Sequence, residues 1–218
     1  MKNLRILLAD DHSLMRRGLK AILESKPGWE VCAEAHTGRE AVTKAAQLRP
    51  DVVVLDVCMP ELNGIEATRQ IRKASSRTEV LILSVHHSDH LIREVIDAGA
   101  RGYLVKSDSD RDLVAAVESL SHHKPFFTAH ATEMLLSGYA GETPAENPDA
   151  SMAQRLTARE REIVQLLAEG KTSKEVAAVL NISAKTAETH RAHIMRKMEF
   201  HSVGQIVRYA VRNQIIDL

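Results

Sequence analysis

The sequence has little of several features that mark particular classes of protein. Only two of its 218 residues are cysteines, Cys32 and Cys58. Two isolated thiols cannot form a disulfide framework, so both are expected to be reduced. One Trp, three Tyr and three Phe are its only aromatic residues, so nothing indicates a surface that stacks the bases of single-stranded nucleic acid.

Long apolar runs and an overall charge are also lacking. No run approaches the roughly 18 apolar residues of a membrane span, and Met1 to Arg5 leads into a strand pattern rather than a signal peptide. We therefore expect a cytoplasmic protein with no membrane partner. Basic and acidic residues are equal at 29 each, yet residues 151–218 carry 11 basic and 7 acidic side chains. A basic end on a neutral chain is typical of proteins whose one end meets nucleic acid.

The first 122 residues alternate between apolar runs and amphipathic segments. The predicted strands are 4–9, 30–35, 51–56, 79–85 and 102–105, and the predicted helices are 13–23, 39–48, 64–73, 89–97 and 110–121. This alternation predicts an α/β domain with a flavodoxin-like, doubly wound, five-stranded parallel sheet. The inward face of the first helix is predicted to comprise Leu14, Gly18, Leu19, Ile22 and Leu23.

The pattern changes after residue 122. Residues 123–155 lose apolar periodicity and gather Gly141, Pro144 and Pro148, so they are predicted to be a linker, with a short helix near 130–136. Residues 156–218 are predicted to form a small all-α domain. The chain therefore divides into a domain of residues 1–122, a linker of residues 123–155 and a domain of residues 156–218.

The carboxyl-terminal domain has clear helix signals. Thr157 with Glu160, and Thr172 with Glu175, have the spacing of capping boxes. Three turn residues, 181–183, separate the second helix from a third at about 184–198, and 202–212 form a fourth. Two short helices joined by such a turn are typical of a helix-turn-helix. The inward positions of the third helix are predicted to be Ala187, His190, Ile194 and Met198.

Chemistry is concentrated at one edge of the predicted sheet. Asp10, Asp11 and Asp56 follow strands one and three, and ligand sites of parallel sheets lie beyond these carboxyl ends. Two like charges about 4 Å apart repel by roughly 4 kcal/mol at an effective dielectric near 20, so the cluster favours a hard dication, and Mg²⁺ is the natural choice. Taken alone, Asp56 could equally be a turn residue. Lys106 and Ser84 end neighbouring strands, and the whole set predicts a site for a phosphoryl group attacked by a carboxylate.

These motifs together resemble the receiver domain of bacterial two-component response regulators, over about residues 2–122. The resemblance rests on Asp10-Asp11, Asp56 with Met59-Pro60, Asn63-Gly64, Ser84, and residues 98–106. It implies that Asp56 is the phosphoacceptor, that Lys106 pairs with the phosphoryl group, and that Ser84 and Tyr103 are switch residues. It also implies Mg²⁺ bound by Asp10, Asp11, Asp56 and the Cys58 backbone carbonyl, and a sensor histidine kinase as partner.

Residues 156–216 resemble the LuxR-type helix-turn-helix of response regulators named for NarL and FixJ. The resemblance rests on residues 156–160, Gly170, 174–177 and 185–197. It implies binding to double-stranded DNA, with a homodimer when the protein is phosphorylated or bound to DNA. The predicted DNA contacts are Lys174, Lys185, Thr186, Glu188, Thr189, Arg191, Ala192, Arg196 and Lys197.

Two alternatives stand beside a phosphorylation-controlled regulator. The receiver could be silent, with control by protein contacts alone. The other alternative is a phosphoaspartate hydrolase of the haloacid dehalogenase type, but that motif requires an acid two residues after the nucleophile, where Cys58 stands. We therefore predict that the chain is not an enzyme beyond assisting its own phosphorylation and dephosphorylation. On the last helix, Val203, Val207 and Val211 recur every four residues, which fits a core stripe and a dimer face equally well.

Overall fold

Short apolar runs in the amino-terminal part of the chain form one parallel sheet. The computed structural model describes residues 3–85, 88–133 and 156–217, which divide into two compact units. The strands are β1 Leu4–Ala9, β2 Trp29–Ala35, β3 Val52–Asp56, β4 Glu79–Ser84, β5 Gly102–Val105 and β6 Phe126–Phe127. Their order is β2-β1-β3-β4-β5-β6 and every pairing is parallel. The predicted doubly wound sheet is confirmed.

Helices connect these strands as the sequence predicts. They are α1 Ser13–Glu24, α2 Gly38–Leu48, α3 Gly64–Ala74, α4 Asp89–Asp97 and α5 Ser109–Ser121. A single 3-10 turn, Lys106–Asp108, lies between β5 and α5. Strand β3 is buried along its whole length, because both faces of a parallel sheet are covered by helices. It therefore lies at the centre of the unit, flanked by β1 and β4.

The sheet has one strand more than the five predicted. Phe126–Phe127 pairs with β5, and the Phe126 backbone N donates to the Arg101 carbonyl at 2.9 Å. Two residues are too few to show a strand period, which is why the sequence pattern missed β6. The chain is helical again over residues 129–133. This segment starts the short helix predicted near 130–136, and the rest of that prediction lies outside the described residues.

The inward face of α1 differs from the predicted one. Leu19 and Leu23 are buried, but Leu14 is 82% exposed and Gly18 is also exposed. Arg16 takes a buried position instead. The reason is local: the guanidinium donates to the Asp10 carbonyl and to Glu34 below α1, so a polar anchor replaces an apolar one.

The carboxyl-terminal unit consists of four short helices around a separate core. They are α6 Ala158–Ala168, α7 Ser173–Leu180, α8 Ala184–Lys197 and α9 Val203–Arg212. Both predicted capping boxes are present. Asn181, in the left-handed conformation at φ 51°, ends α7 before the turn into α8. The predicted helix-turn-helix is confirmed.

Burial on α8 follows the predicted period. Ala187, Ile194 and Met198 are buried and His190 is half-buried. Ala187, Ile194 and Met198 pack in a core with side chains from α6, α7 and α9, including Ile163, Val176 and Ile206. Among the described residues, no helix is long and apolar enough to cross a bilayer.

Candidate functional site

The carboxyl ends of β1 and β3 bring three carboxylates together. The two strands are neighbours in register, with Ala9 opposite Leu55, so Asp10 and Asp56 follow at the same edge. Both side chains are almost fully buried, whereas Asp11 is about one-third exposed. Oxygen atoms of the three carboxylates, together with a ring nitrogen of His12, lie within 4.8 Å of one another. The predicted acidic cluster therefore forms.

Lys106 bridges two of these carboxylates. It follows β5, and its Nζ lies 2.9 Å from Asp10 Oδ2 and 2.7 Å from Asp56 Oδ2. Burial alone would lower the pKa of Lys106, but the attraction of Asp56 and hydrogen bonds to Asp56 and Asp10 outweigh it and raise the pKa. The lysine is therefore held in its charged form.

The environment of Asp56 disfavours its ionised form, even with Lys106 beside it. The pKa of Asp56 is raised from 3.8 to about 6: burial is the largest cause, repulsion by Asp10 and Asp11 adds to the rise, and Lys106 opposes it. One lysine thus compensates only part of the charge on three clustered acids. The site retains electrostatic repulsion that a further cation would relieve.

The donors at this edge fit Mg²⁺. Carboxylate oxygens are the ligands that hard divalent cations prefer, and Asp10, Asp11 and Asp56 supply them from a buried and a partly exposed side. Cys58, whose backbone carbonyl was predicted as a further ligand, is half-buried in the loop after β3. The partly exposed Asp11 leaves room for water, which Mg²⁺ usually keeps in its coordination shell.

The loop after Asp56 is held by a close approach that only glycine permits. A Cβ on Gly64 would lie 2.0 Å from the Asp56 carbonyl oxygen. The Gly64 N–H donates to the Val57 carbonyl at 2.7 Å, and the Asn63 side chain accepts from the Glu66 N–H at 2.9 Å to cap α3. The Asn63-Gly64 pair therefore anchors the start of α3 against the loop that carries Cys58.

Ser84 and Tyr103 lie together beside the acidic edge. Ser84 ends β4 and is buried, and Tyr103 in β5 is completely buried. Burial raises the pKa of the Tyr103 hydroxyl, and a hydrogen bond with Ser84 partly offsets this rise. Both predicted switch residues thus point inward and contact each other.

Two site residues were missed by sequence reasoning. The His12 N–H donates to Asp10 Oδ1 at 2.8 Å, and its ring Nδ1 lies 2.9 Å from Asp11 Oδ1. Arg16 donates to the Asp10 carbonyl at 2.6 Å and to Glu34 Oε2 at 3.0 Å. The position of His12 directly after two acids was an available signal, whereas the Arg16 contacts depend on β2 lying beside β1.

The predicted DNA-contact residues lie on α7 and α8. Lys174 is exposed on α7, and Arg191 is half-buried on α8. Lys197 is also half-buried, and its Nζ lies 2.7 Å from Glu160 Oε2. The predicted contact residues on α8 that are exposed are Lys185, Thr186, Glu188, Thr189, Ala192 and Arg196. These six form a face of the helix opposite its buried side.

A parallel α/β unit with an acidic pair, a buried aspartate and a bridging lysine, followed by a helix-turn-helix, defines a two-domain regulator with a receiver site. Family models support this definition. The model "Response regulator receiver domain" matches residues 6–118, and "Bacterial regulatory proteins, luxR family" matches residues 154–210. The chain belongs to the response regulators of two-component systems, in the NarL/FixJ subfamily with a LuxR-type DNA-binding domain.

Similar proteins match over nearly the whole chain. The transcriptional regulatory protein LiaR of Bacillus subtilis is 37% identical over 216 residues, which are 98% of this chain and 100% of LiaR. The oxygen regulatory protein NreC of Staphylococcus epidermidis is 32% identical over 217 residues, with 98% and 100% covered. The crystal structure of ChrA, a response regulator of a heme-sensing two-component system, has 32% identity and a TM-score of 0.52, covering 99% and 100%.

Proposed function

We propose that Asp56 accepts a phosphoryl group from a sensor histidine kinase and that this transfer controls DNA binding by α8. The observation that carries the proposal is the Lys106 ammonium between Asp10 and Asp56, at 2.9 and 2.7 Å. It places a cation where the oxygens of a phosphoryl group on Asp56 would lie. The proposed domains are the receiver, residues 1–122, the linker, residues 123–155, and the DNA-binding domain, residues 156–218.

In the proposed transfer, an Asp56 carboxylate oxygen bonds to phosphorus as the bond to the kinase histidine breaks. Only the ionised carboxylate is a nucleophile. Since the pKa of Asp56 is about 6, most of the residue is ionised at neutral pH. Lys106 neutralises charge on the phosphoryl oxygens, and the Gly64 contact holds the Asp56 backbone in place during the transfer.

Mg²⁺ is the proposed cofactor, with Asp10, Asp11, Asp56 and the Cys58 carbonyl as its protein ligands. When bound, it would neutralise phosphoryl charge and orient the group for in-line transfer. The convergence of three carboxylates within 4.8 Å supports this assignment. His12 and Arg16 would hold the Asp10 loop through its carboxylate and carbonyl.

Ser84 and Tyr103 are the proposed switch. A phosphoryl group adds about 1.5 to 2 negative charges and three acceptor oxygens at the sheet edge. The Ser84 hydroxyl would donate to one of these oxygens, which changes its contact with Tyr103. The altered contact between Ser84 on β4 and Tyr103 on β5 would then change the receiver surface near these two strands.

Double-stranded DNA is the proposed partner of α8. The exposed face formed by Lys185, Glu188, Thr189 and Ala192 would meet base edges in the major groove. Arg196 on α8 and Lys174 on α7 are also exposed, and they would contact phosphates beside the groove. DNA and an ATP-dependent kinase are both met in the cytoplasm, which is the proposed location.

A homodimer is proposed for the phosphorylated or DNA-bound protein. The core side of α9 consists of Ile206, Tyr209 and Ala210, which are buried. The valines therefore do not form the core side of α9: Val203 is 40% exposed and Val207 is half-buried. An apolar stripe left outside a small core fits the dimer face better than the core alternative.

We propose no catalytic turnover beyond the chain's own phosphorylation and dephosphorylation. A hydrolase of the haloacid dehalogenase type needs an acid two residues after the nucleophile, and Cys58 stands there. Membership in a family of transcription regulators supports the same view.

Intact mass before and after incubation with a partner histidine kinase, ATP and Mg²⁺ tests the proposal. The expected result is the addition of one phosphoryl group to the wild-type chain and none to Asp56→Asn. DNA binding is then compared with and without the phosphoryl group. Phosphorylation that leaves DNA affinity and oligomeric state unchanged would favour the silent-receiver alternative.

A further inference from the structure

Glu160 has more partners than a helix cap requires. In its capping role, Oε2 accepts from the Thr157 N–H at 2.8 Å. The same oxygen also lies 2.7 Å from Lys197 Nζ, and Oε1 lies 3.0 Å from His193 Nδ1. The residue is only 5% exposed. Its carboxylate therefore joins the start of α6 to two side chains on α8.

The contacts of Glu160 with α8 are additional to its role as a helix cap. Glu175 caps α7 in the same way, accepting from the Thr172 N–H at 2.8 Å, but it lies at an exposed position. Glu160 caps α6 and also contacts residues 33 and 37 positions away. A glutamate that only capped its helix would need neither burial nor a lysine and a histidine from α8.

Lys197 is the last residue of α8, and its ammonium forms an ion pair with Glu160. For Lys197 to reach a DNA phosphate, Glu160 would remain buried without its cation, and an uncompensated buried charge is costly. Burial alone would raise the pKa of Glu160, but hydrogen bonds from Lys197 and Thr157, together with the charge of Lys197, lower it to about 2. The Glu160 carboxyl is therefore ionised at neutral pH.

We infer that Glu160 is a positioning residue for DNA binding, and that Lys197 serves DNA binding through Glu160 and not through a phosphate. Together they fix the end of α8 against the start of α6, so that the exposed face of α8 meets the groove at one angle. This inference rests on the proposed function of α8. It gives Lys197 a role different from that of Arg196, its exposed neighbour on the same helix.

Salt dependence separates the two roles. Each phosphate contact contributes close to one unit to the slope of log affinity against log salt concentration, whereas a residue that only orients a helix contributes nothing to that slope. The probe is a duplex selected from a random-sequence library by the full-length wild-type chain after phosphorylation by a partner histidine kinase, and each variant is phosphorylated in the same way. Affinity for it is measured at several salt concentrations for each variant, with thermal unfolding recorded in parallel.

The expected pattern is specific. Lys197→Met and Glu160→Gln each weaken binding, by roughly tenfold if the loss of one buried charged hydrogen bond is transmitted to α8, and both keep the wild-type slope. The double variant binds no more weakly than either single variant, because both remove one interaction. Arg196→Gln lowers the slope by about one. Glu175→Gln, which alters a cap alone, leaves affinity within about twofold of wild type.

Opposite results overturn the inference. A slope that falls by about one in Lys197→Met, with normal binding by Glu160→Gln, would make Lys197 a phosphate ligand. Additive losses in the double variant would contradict a shared interaction. If Glu160→Gln does not fold, the slope of Lys197→Met alone decides. A phosphorylated wild-type chain that selects no duplex would instead refute DNA binding by α8, which is a failure of the proposed function.

Discussion

Asp56→Asn is expected to make the receiver more stable at neutral pH, although it removes the proposed phosphoacceptor. Burial and the repulsion of Asp10 and Asp11 raise the pKa of Asp56 from 3.8 to about 6. A carboxyl whose pKa is higher in the folded state binds protons more tightly there, so stability falls as pH rises from about 4 to about 6. The shift of about 2 units corresponds to about 3 kcal/mol at pH 7, and asparagine does not carry this penalty.

The assay uses the single tryptophan. Trp29 begins β2 and is half-buried in the sheet of the receiver, so its fluorescence reports unfolding of this unit in the full-length chain. Denaturant unfolding of wild type and Asp56→Asn is measured in Mg²⁺-free buffer from pH 4 to pH 7. The difference in unfolding free energy should widen toward pH 7, in favour of the variant. Asp97→Asn, at an exposed position, is the control and should follow the wild type.

Mg²⁺ gives the second arm of the test. A ligand that binds only the folded state adds stability that grows with its concentration. The wild type should gain more from added Mg²⁺ at pH 7 than Asp56→Asn, because the variant lacks one of the clustered charges. Two free-energy curves that run parallel from pH 4 to pH 7 would refute the argument that buried repulsion at Asp56 weakens the fold.

Three further predictions concern other parts of the molecule. Gly64→Ala should lower receiver stability by roughly 1 to 3 kcal/mol, because the added Cβ meets the Asp56 carbonyl. The control is Gly18→Ala, whose Cβ meets nothing within 4 Å and which should not destabilise the receiver. Equal losses of unfolding free energy in the two variants, measured by Trp29 fluorescence, would contradict this prediction. Lys106→Met should bind Mg²⁺ more tightly in calorimetry, since the ammonium that shares Asp10 and Asp56 is gone; weaker binding would show that the lysine does not compete. Val203→Asp should reduce dimer formation on DNA in sedimentation experiments while the melting temperature stays within a few degrees of wild type, since Val203 is 40% exposed; unchanged assembly would remove α9 as the dimer face.

The sequence predicted most elements because their causes are local. β3 begins with four consecutive apolar residues, and the capping boxes at Thr157 and Thr172 are four-residue patterns that need no partner elsewhere. β6 was not predicted, because two residues are too few to show a strand period. The exposed Leu14 shows the other limit: an apolar residue at helical spacing was assigned to the core, while the buried position belonged to Arg16.

The candidate site divides along the same line. Asp10 and Asp56 could be placed at one edge because strand ends in a parallel sheet meet there. The contacts of Arg16 beside that edge could not be predicted, because Arg16 contacts Glu34, 18 residues away on β2. Lys197 is the clearest case: its spacing predicted an outward phosphate contact, whereas its observed partner, Glu160, lies 37 residues earlier. Long-range pairs of charged side chains leave no periodic trace in the sequence.

The charged groups of the two domains should make their stabilities depend on pH in opposite directions. At the receiver, carboxylates crowd beyond what Lys106 neutralises, and acidification toward pH 4 relieves this repulsion. At the DNA-binding domain, Glu160 has its cation and its donors, and a pKa of about 2 in place of 4.5 means that stability is present above pH 4.5 and lost as pH falls toward 2. In the proposed function, this repulsion favours the binding of a cation at the acidic edge of the sheet. In the proposed function, the Glu160–Lys197 pair holds α8 in one orientation for DNA binding.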